Sequence, residues 1–312
     1  MVPTGLEAAA ALARAALYLG LSLAVGVVLV TVTTATPWRR LAGRSPDPAA
    51  DPVAGPATVG AMLLGAAPLV MLELQRQSLE MTRLELPILL FDTPWGAHWM
   101  QLAAACVMTA GMLVVMGWRP RIATGTGDLL PQGRAGALAP ILASVGAVAV
   151  AATMSGLGHA AADSAWPRLS RMADSLHALA AATWIGGLAL TAWVARHRDD
   201  DESALGWSRF SRVATIAAPL VVCSAAVSSW RRLGGPAPES LWGALATPYG
   251  QLLVAKALLV LVMLGIGARQ RQRIMARKRT DLCAIGAELL VALLVFGVTA
   301  VLTGTEPPLQ RP

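Results

Sequence analysis

The sequence predicts an all-α, polytopic membrane protein: a bundle of about eight transmembrane helices forming a single domain over residues 1–312. Three observations predict it. The chain is 55% hydrophobic and only 14% charged, with mean hydropathy +0.58, whereas a soluble domain carries roughly 25% charged residues. Apolar runs of about 20 residues recur, each long enough to cross a hydrocarbon core of about 30 Å. Basic residues crowd into alternate connections between those runs, as cytoplasmic loops do.

The first run, 9–34, follows MVPTGLE, which lacks a basic n-region and carries Glu7. With the length of the run, this reads as a retained helix and not as a cleaved signal peptide. The next connection, TPWRRLAGRSPDPAADPVAGPA, is rich in Pro, Ala and Asp and reads as a loop. A second run covers 57–75. The following LEMTRLELPILLF, Leu79 to Phe91, is too short and too charged to span and reads as an interfacial cap. The third run, 97–117, opens at His98 and carries Met108, Met112 and Met116 on one helical face, read as a packing stripe. The fourth, 138–160, ends on His159. The fifth, 173–195, places His177 about one turn in and contains Gly186-Gly187 after Trp184, a pair that allows close helix approach. Runs at 211–230, 249–268 and 281–303 complete the set, the last two carrying Lys256 and Glu288.

The first, third, fifth and seventh connections hold 16 Arg or Lys residues against 7 on the other side. The positive-inside rule puts these odd connections in the cytoplasm and both termini outside. Tryptophans near the run ends, among them Trp95, Trp99, Trp166, Trp207, Trp230 and Trp242, read as interfacial anchors. His98, His159 and His177 then share one depth near the outer face. Only His197, beside Arg196 and Arg198, falls on the inner side and reads as a loop histidine.

Histidine within a membrane segment is costly unless partnered, and three at one level point to a metal or haem site. Neutral imidazole suits copper, zinc, iron and nickel, and thioether suits Cu(I). Met154 and Met172 flank the two histidines of SGLGHAAADSAWPRLSRMADSLHALAAATWIGGL and are the preferred thioether candidates. Each can equally be a packing residue. Asp163 lies four residues after His159 and Asp174 three before His177, where either could orient an imidazole or simply be solvated at a helix mouth. Lys256 and Glu288 lie at depths differing by only several Å at ~1.5 Å per residue, so a pair or a shared polar cavity is expected. Arg14, within the first run, faces inward or snorkels. Cys106, Cys223 and Cys283 have no ligand spacing and read as small hydrophobes. No P-loop, dinucleotide fingerprint, H-E-x-x-H or C-x-x-C motif is present, which argues against ATP-driven pumping by this chain alone and against an ordinary enzyme. The net charge of +7 reports loop arginines and not nucleic-acid binding.

GHA at Gly158–Ala160, DSLHALAAATWIGGL at Asp174–Leu188, RFSRVA at Arg209–Ala214, TPYGQLLVAKALL at Thr247–Leu259, the basic ARQRQR turn, Glu288 and TGTEPP at Thr303–Pro308 together resemble the copper resistance protein D (CopD) family over about residues 159–305. In the first half only the span pattern and PWGAHWMQ are similar, and Gln101 stands where the family often has a basic residue. The resemblance implies an inner-membrane protein that handles copper, commonly with a periplasmic CopC-type copper-binding partner. It carries the family's histidines onto His159 and His177, while His98 comes from topology alone. The expectation is therefore copper binding by His98, His159 and His177, with Met154 or Met172, and import from periplasm to cytoplasm past Lys256 and Glu288. The alternatives are a haem-binding membrane redox protein and a non-transporting partner of a periplasmic copper carrier.

Overall fold

The computed structural model describes residues 5–41, 52–122, 134–157, 166–197, 200–233, 238–276 and 281–305. In chain order the helices are α1 (Gly5–Leu41), α2 (Ala54–Ser78), α3 (Leu86–Phe91), α4 (Pro94–Ile122), α5 (Arg134–Gly156), α6 (Pro167–Ala195), α7 (Asp200–Arg232), α8 (Pro238–Leu245), α9 (Pro248–Met275) and α10 (Leu282–Leu302). Among the described residues there is no strand, and eight helices are long and apolar enough to cross a membrane. They coincide one for one with the eight predicted runs, several reaching further at their ends. The chain is thus an all-α, multi-pass membrane protein.

Helix α6 organises the bundle, packing on α1, α5, α7 and α10. One core joins α1, α2, α4 and α5 to Ala182 and Leu190 of α6. A second joins α7, α9 and α10 to Ala180, Trp184, Ile185, Leu188 and Ala192. A helix that is apolar all round belongs in the middle of a bundle, and α6 supplies both cores. The Gly186 position explains the closeness of its contact with α1. A Cβ built at Gly186 would lie 1.8 Å from the Ser22 carbonyl oxygen, and one at Gly26 would lie 2.4 Å from the Gly186 oxygen. The packing role expected of the glycine pair is therefore met by backbone-to-backbone contact.

At the other extreme, few residues of α9 are buried, among them Tyr249, Gly250, Met263 and Gln270. It is held chiefly by α10, with lighter contact to α7 and α8. The turn between α9 and α10 is tied by Gln270, whose Nε2 donates to the Asp281 carbonyl at 2.7 Å. Asp281 also caps α10, its Oδ1 accepting from the Cys283 and Ala284 amides at 3.1 and 3.2 Å. Replacing Asp281 with alanine is expected to cost about 1 kcal/mol of stability, read as a lower thermal midpoint in detergent. Asp281→Asn should retain most of it.

The segment expected to be an interfacial cap is a short 3-10 turn, Arg83–Glu85, followed by α3. Helix α2 reaches it through a left-handed residue, Glu80 (φ 54°), where glycine is usual. The Glu80 amide donates to the Gln77 carbonyl and the Met81 amide to that of Arg76, which closes the helix end. Arg76 also donates to the Met81 carbonyl and pairs with Glu73 at 2.6 Å. The Thr82 amide and hydroxyl both donate to Glu85, at 2.7 and 2.9 Å, and hold its carboxyl below the usual carboxylate range.

Two readings are corrected. Trp99 and Trp207 are buried and not interfacial: the Trp99 indole donates to the Pro68 carbonyl at 2.8 Å, and Trp207 packs edge-on against Phe210. Trp166, Trp230 and Trp242 do lie exposed near helix ends. The short helix α8, unforeseen, packs on α9 and shares a small core with Tyr249 and Leu302. Arg14 faces inward, its Nη1 donating to the Thr303 carbonyl at 3.0 Å and so tying α1 to the end of α10.

Candidate functional site

At the end of the bundle where α6 begins, α1, α5, α6, α7, α9 and α10 enclose a cavity of about 150 Å³. His177 and Met154 both line it. The His177 Nδ1 lies 3.2 Å from both the Val221 carbonyl oxygen and Ser224 Oγ. A carbonyl can only accept, so Nδ1 carries the proton and Nε2 keeps its lone pair. This is the tautomer a metal ion needs, held in the way metal-bound histidines usually are.

His98, at the start of α4, is in the same state. Its Nδ1 lies 2.8 Å from the Pro94 carbonyl oxygen, and its ring rests against Gly156, where a Cβ would come within 2.4 Å of Cδ2. Ser155, the neighbour of Gly156, lines the His177 cavity and accepts from the Ser175 hydroxyl at 3.3 Å. The last turn of α5 therefore stands between the two imidazoles. His159 and Asp163, further along the same chain, lie outside the described residues. Among the described residues no three His, Cys, Asp or Glu side chains form a metal-binding group. Met172 is 68% exposed and does not line the cavity.

Asp174 does not orient His177. Its Oδ1 accepts from Ser228 Oγ at 2.7 Å, and its Oδ2 is paired with Arg232. The ring is positioned instead by α7 backbone and Ser224. Sequence reading missed Arg232, which entered only as one of the 7 basic residues counted on the outer side. An acid near the start of α6 opposite a base at the end of α7 was the available signal, since antiparallel neighbours bring those ends together.

Lys256 lines this same cavity. Glu288 does not. It is 2% exposed and lines a second cavity, of about 270 Å³, towards the other end of the bundle between α6, α7, α9 and α10. Trp184 lines the same cavity, and Gly267 of α9 leaves room for the carboxyl, with a Cβ position 3.4 Å from Oε1. The expectation of a pair or one shared cavity is thus corrected: Glu288 stands beside Gly267, which is ~16 Å further along α9 than Lys256 at ~1.5 Å per residue, so the two charges lie at different depths and in different spaces. Trp184 is the one residue lining both cavities among those described.

Residues 206–302 match the family model described as copper resistance protein D. The matched segment holds Lys256 and Glu288, and it leaves His98, His159 and His177 on its N-terminal side. No curated protein and no solved structure matches the chain.

Proposed function

We propose, on the premise that residues 206–302 belong to the copper resistance protein D family, that the chain binds copper in the cavity at the α6 N-terminal end and passes it towards the Glu288 cavity. The family implies a role in copper resistance. His177 is the observation that carries binding and transport. Its Nε2 lone pair is free in a cavity that also offers the Met154 thioether. Imidazole and thioether together suit copper, Cu(I) above all. His98, in the same tautomer beside Gly156, and His159, three residues further along the chain, are the further ligands proposed.

The excess of basic residues in the odd connections supports placing this end, with both termini, on the periplasmic side of an inner membrane, and import is the direction proposed with it. A periplasmic carrier of the CopC type would unload at this face. Copper leaving His177 would then pass Trp184 and meet the Glu288 carboxylate, an intramembrane acid of the sort that marks ion pathways. Uptake of copper into proteoliposomes tests the reading. Wild-type protein is expected to accumulate copper in the vesicle lumen, and Glu288→Gln to slow uptake at least about tenfold, as loss of a charge-assisted contact does. Copper bound at the cavity without any uptake would leave a carrier-docking role in place of transport.

A further inference from the structure

The cavity that holds His177 is rich in donors and poor in acceptors. Among the described residues lining it the one carboxylate, Asp174, is already engaged at both oxygens, by Ser228 and by Arg232. The Arg232 charge is thereby balanced, and the Lys256 ammonium is not. Among the described residues no acceptor lies within hydrogen-bond distance of Lys256 Nζ, of the Tyr18 hydroxyl or of the Thr299 hydroxyl, all three of which line this cavity. They come from α9, α1 and α10, so they surround the space and do not form a strip along one helix.

An ammonium within a membrane-spanning bundle needs a counter-charge or an acceptor, because burying an unpaired ion is costly. Water can serve the two hydroxyls but does not cancel the charge. A cavity of about 150 Å³ has room for several waters, and so for a small ion with part of its hydration. We propose that Lys256, Tyr18 and Thr299 form a binding site for a small monovalent anion, a halide or the carboxylate of a short organic acid, adjoining His177. A divalent anion is disfavoured, since Lys256 is the only unbalanced charge among the described lining residues. The bound anion would also relieve the repulsion that Lys256 exerts on any cation entering beside His177.

The inference stands apart from copper, and it is tested without copper, so its failure and that of the transport reading are separable. Full-length protein in detergent is placed in gluconate, and chloride or acetate replaces the gluconate at constant ionic strength while the thermal midpoint is read. A ligand that binds only the folded state raises the midpoint in a concentration-dependent way. The expected result is a saturable rise with chloride, acetate or both; which of the two works identifies the source of the anion. Tyr18→Phe and Thr299→Val should each shift the half-saturating concentration upward about tenfold, as loss of one charge-assisted hydrogen bond does. Lys256→Met should abolish the effect, and Lys256→Arg should keep it. Equal midpoints in gluconate, chloride and acetate would overturn the site, as would a saturable rise that persists unchanged in Tyr18→Phe and Thr299→Val, two variants that keep every charge and hold even if Lys256→Met does not fold.

Discussion

A His177→Ala protein is expected to fold normally and to lose at least about 100-fold in copper affinity, the scale set by groups that merely orient a ligand. The side chain is only partly buried at the cavity wall, and its removal leaves Val221 O and Ser224 Oγ with the helix contacts they already make. Competition against a chelator of known copper affinity would measure the loss. The instructive comparison is Ser224→Ala. Ser224 shares the Nδ1–H with the Val221 carbonyl at the same 3.2 Å, so removing it leaves the tautomer intact and should weaken copper by no more than about tenfold. Equal losses in the two variants would mean that the cavity acts through its shape and that the imidazole is not a ligand. Retention of full affinity in His177→Ala would remove the site altogether.

The second large effect is structural. Gly186→Leu is expected to abolish the folded bundle, with no detergent-stable protein recovered. The Ser22 carbonyl lies 1.8 Å from where its Cβ would stand, and the obstructing atom is backbone, which cannot rotate away. Overpacking a well-filled core costs about 1–3 kcal/mol or more, and here α1 would have to separate from α6, the helix both cores depend on. Gly65→Leu is the control, because a Cβ at Gly65 meets nothing within 4 Å. It should leave expression and thermal midpoint almost unchanged. Similar loss in both variants would show that the cell rejects large residues in these spans for reasons unrelated to helix approach.

The eight spans were legible because hydropathy over a length of about 20 residues is a local property, and a membrane selects for it directly. The close packing at Gly186 was legible for a similar reason: small residues inside an apolar run have few other uses. The site was legible only as depth. Counting residues from the span ends correctly put His177 and Met154 at one end of the bundle. It could not say which way a side chain turns about the helix axis. Lys256 and Glu288 show that even depth was read coarsely: counting from the span ends set them nearly level, whereas Glu288 stands beside Gly267, well along α9 from Lys256 and across Trp184 from it. Asp174 shows the missing direction, since three residues from His177 looked like a partnership until Arg232 and Ser228 arrived from a helix distant in sequence. Tyr18 and Thr299 were invisible beforehand, being ordinary residues made significant by which walls they share.

The light attachment of α9 has a geometric consequence. Lys256, Val260 and Met263 wall one cavity, while Leu264, Gly267 and Gln270 wall the other, so the changeover falls between two adjacent residues midway along a single helix. Such a helix is a lever with its fulcrum at Met263–Leu264. Tilting it about that point carries its two ends in opposite senses, so the space at one end widens as the space at the other narrows. A rigid tilt of this kind would open the two spaces in turn and not together.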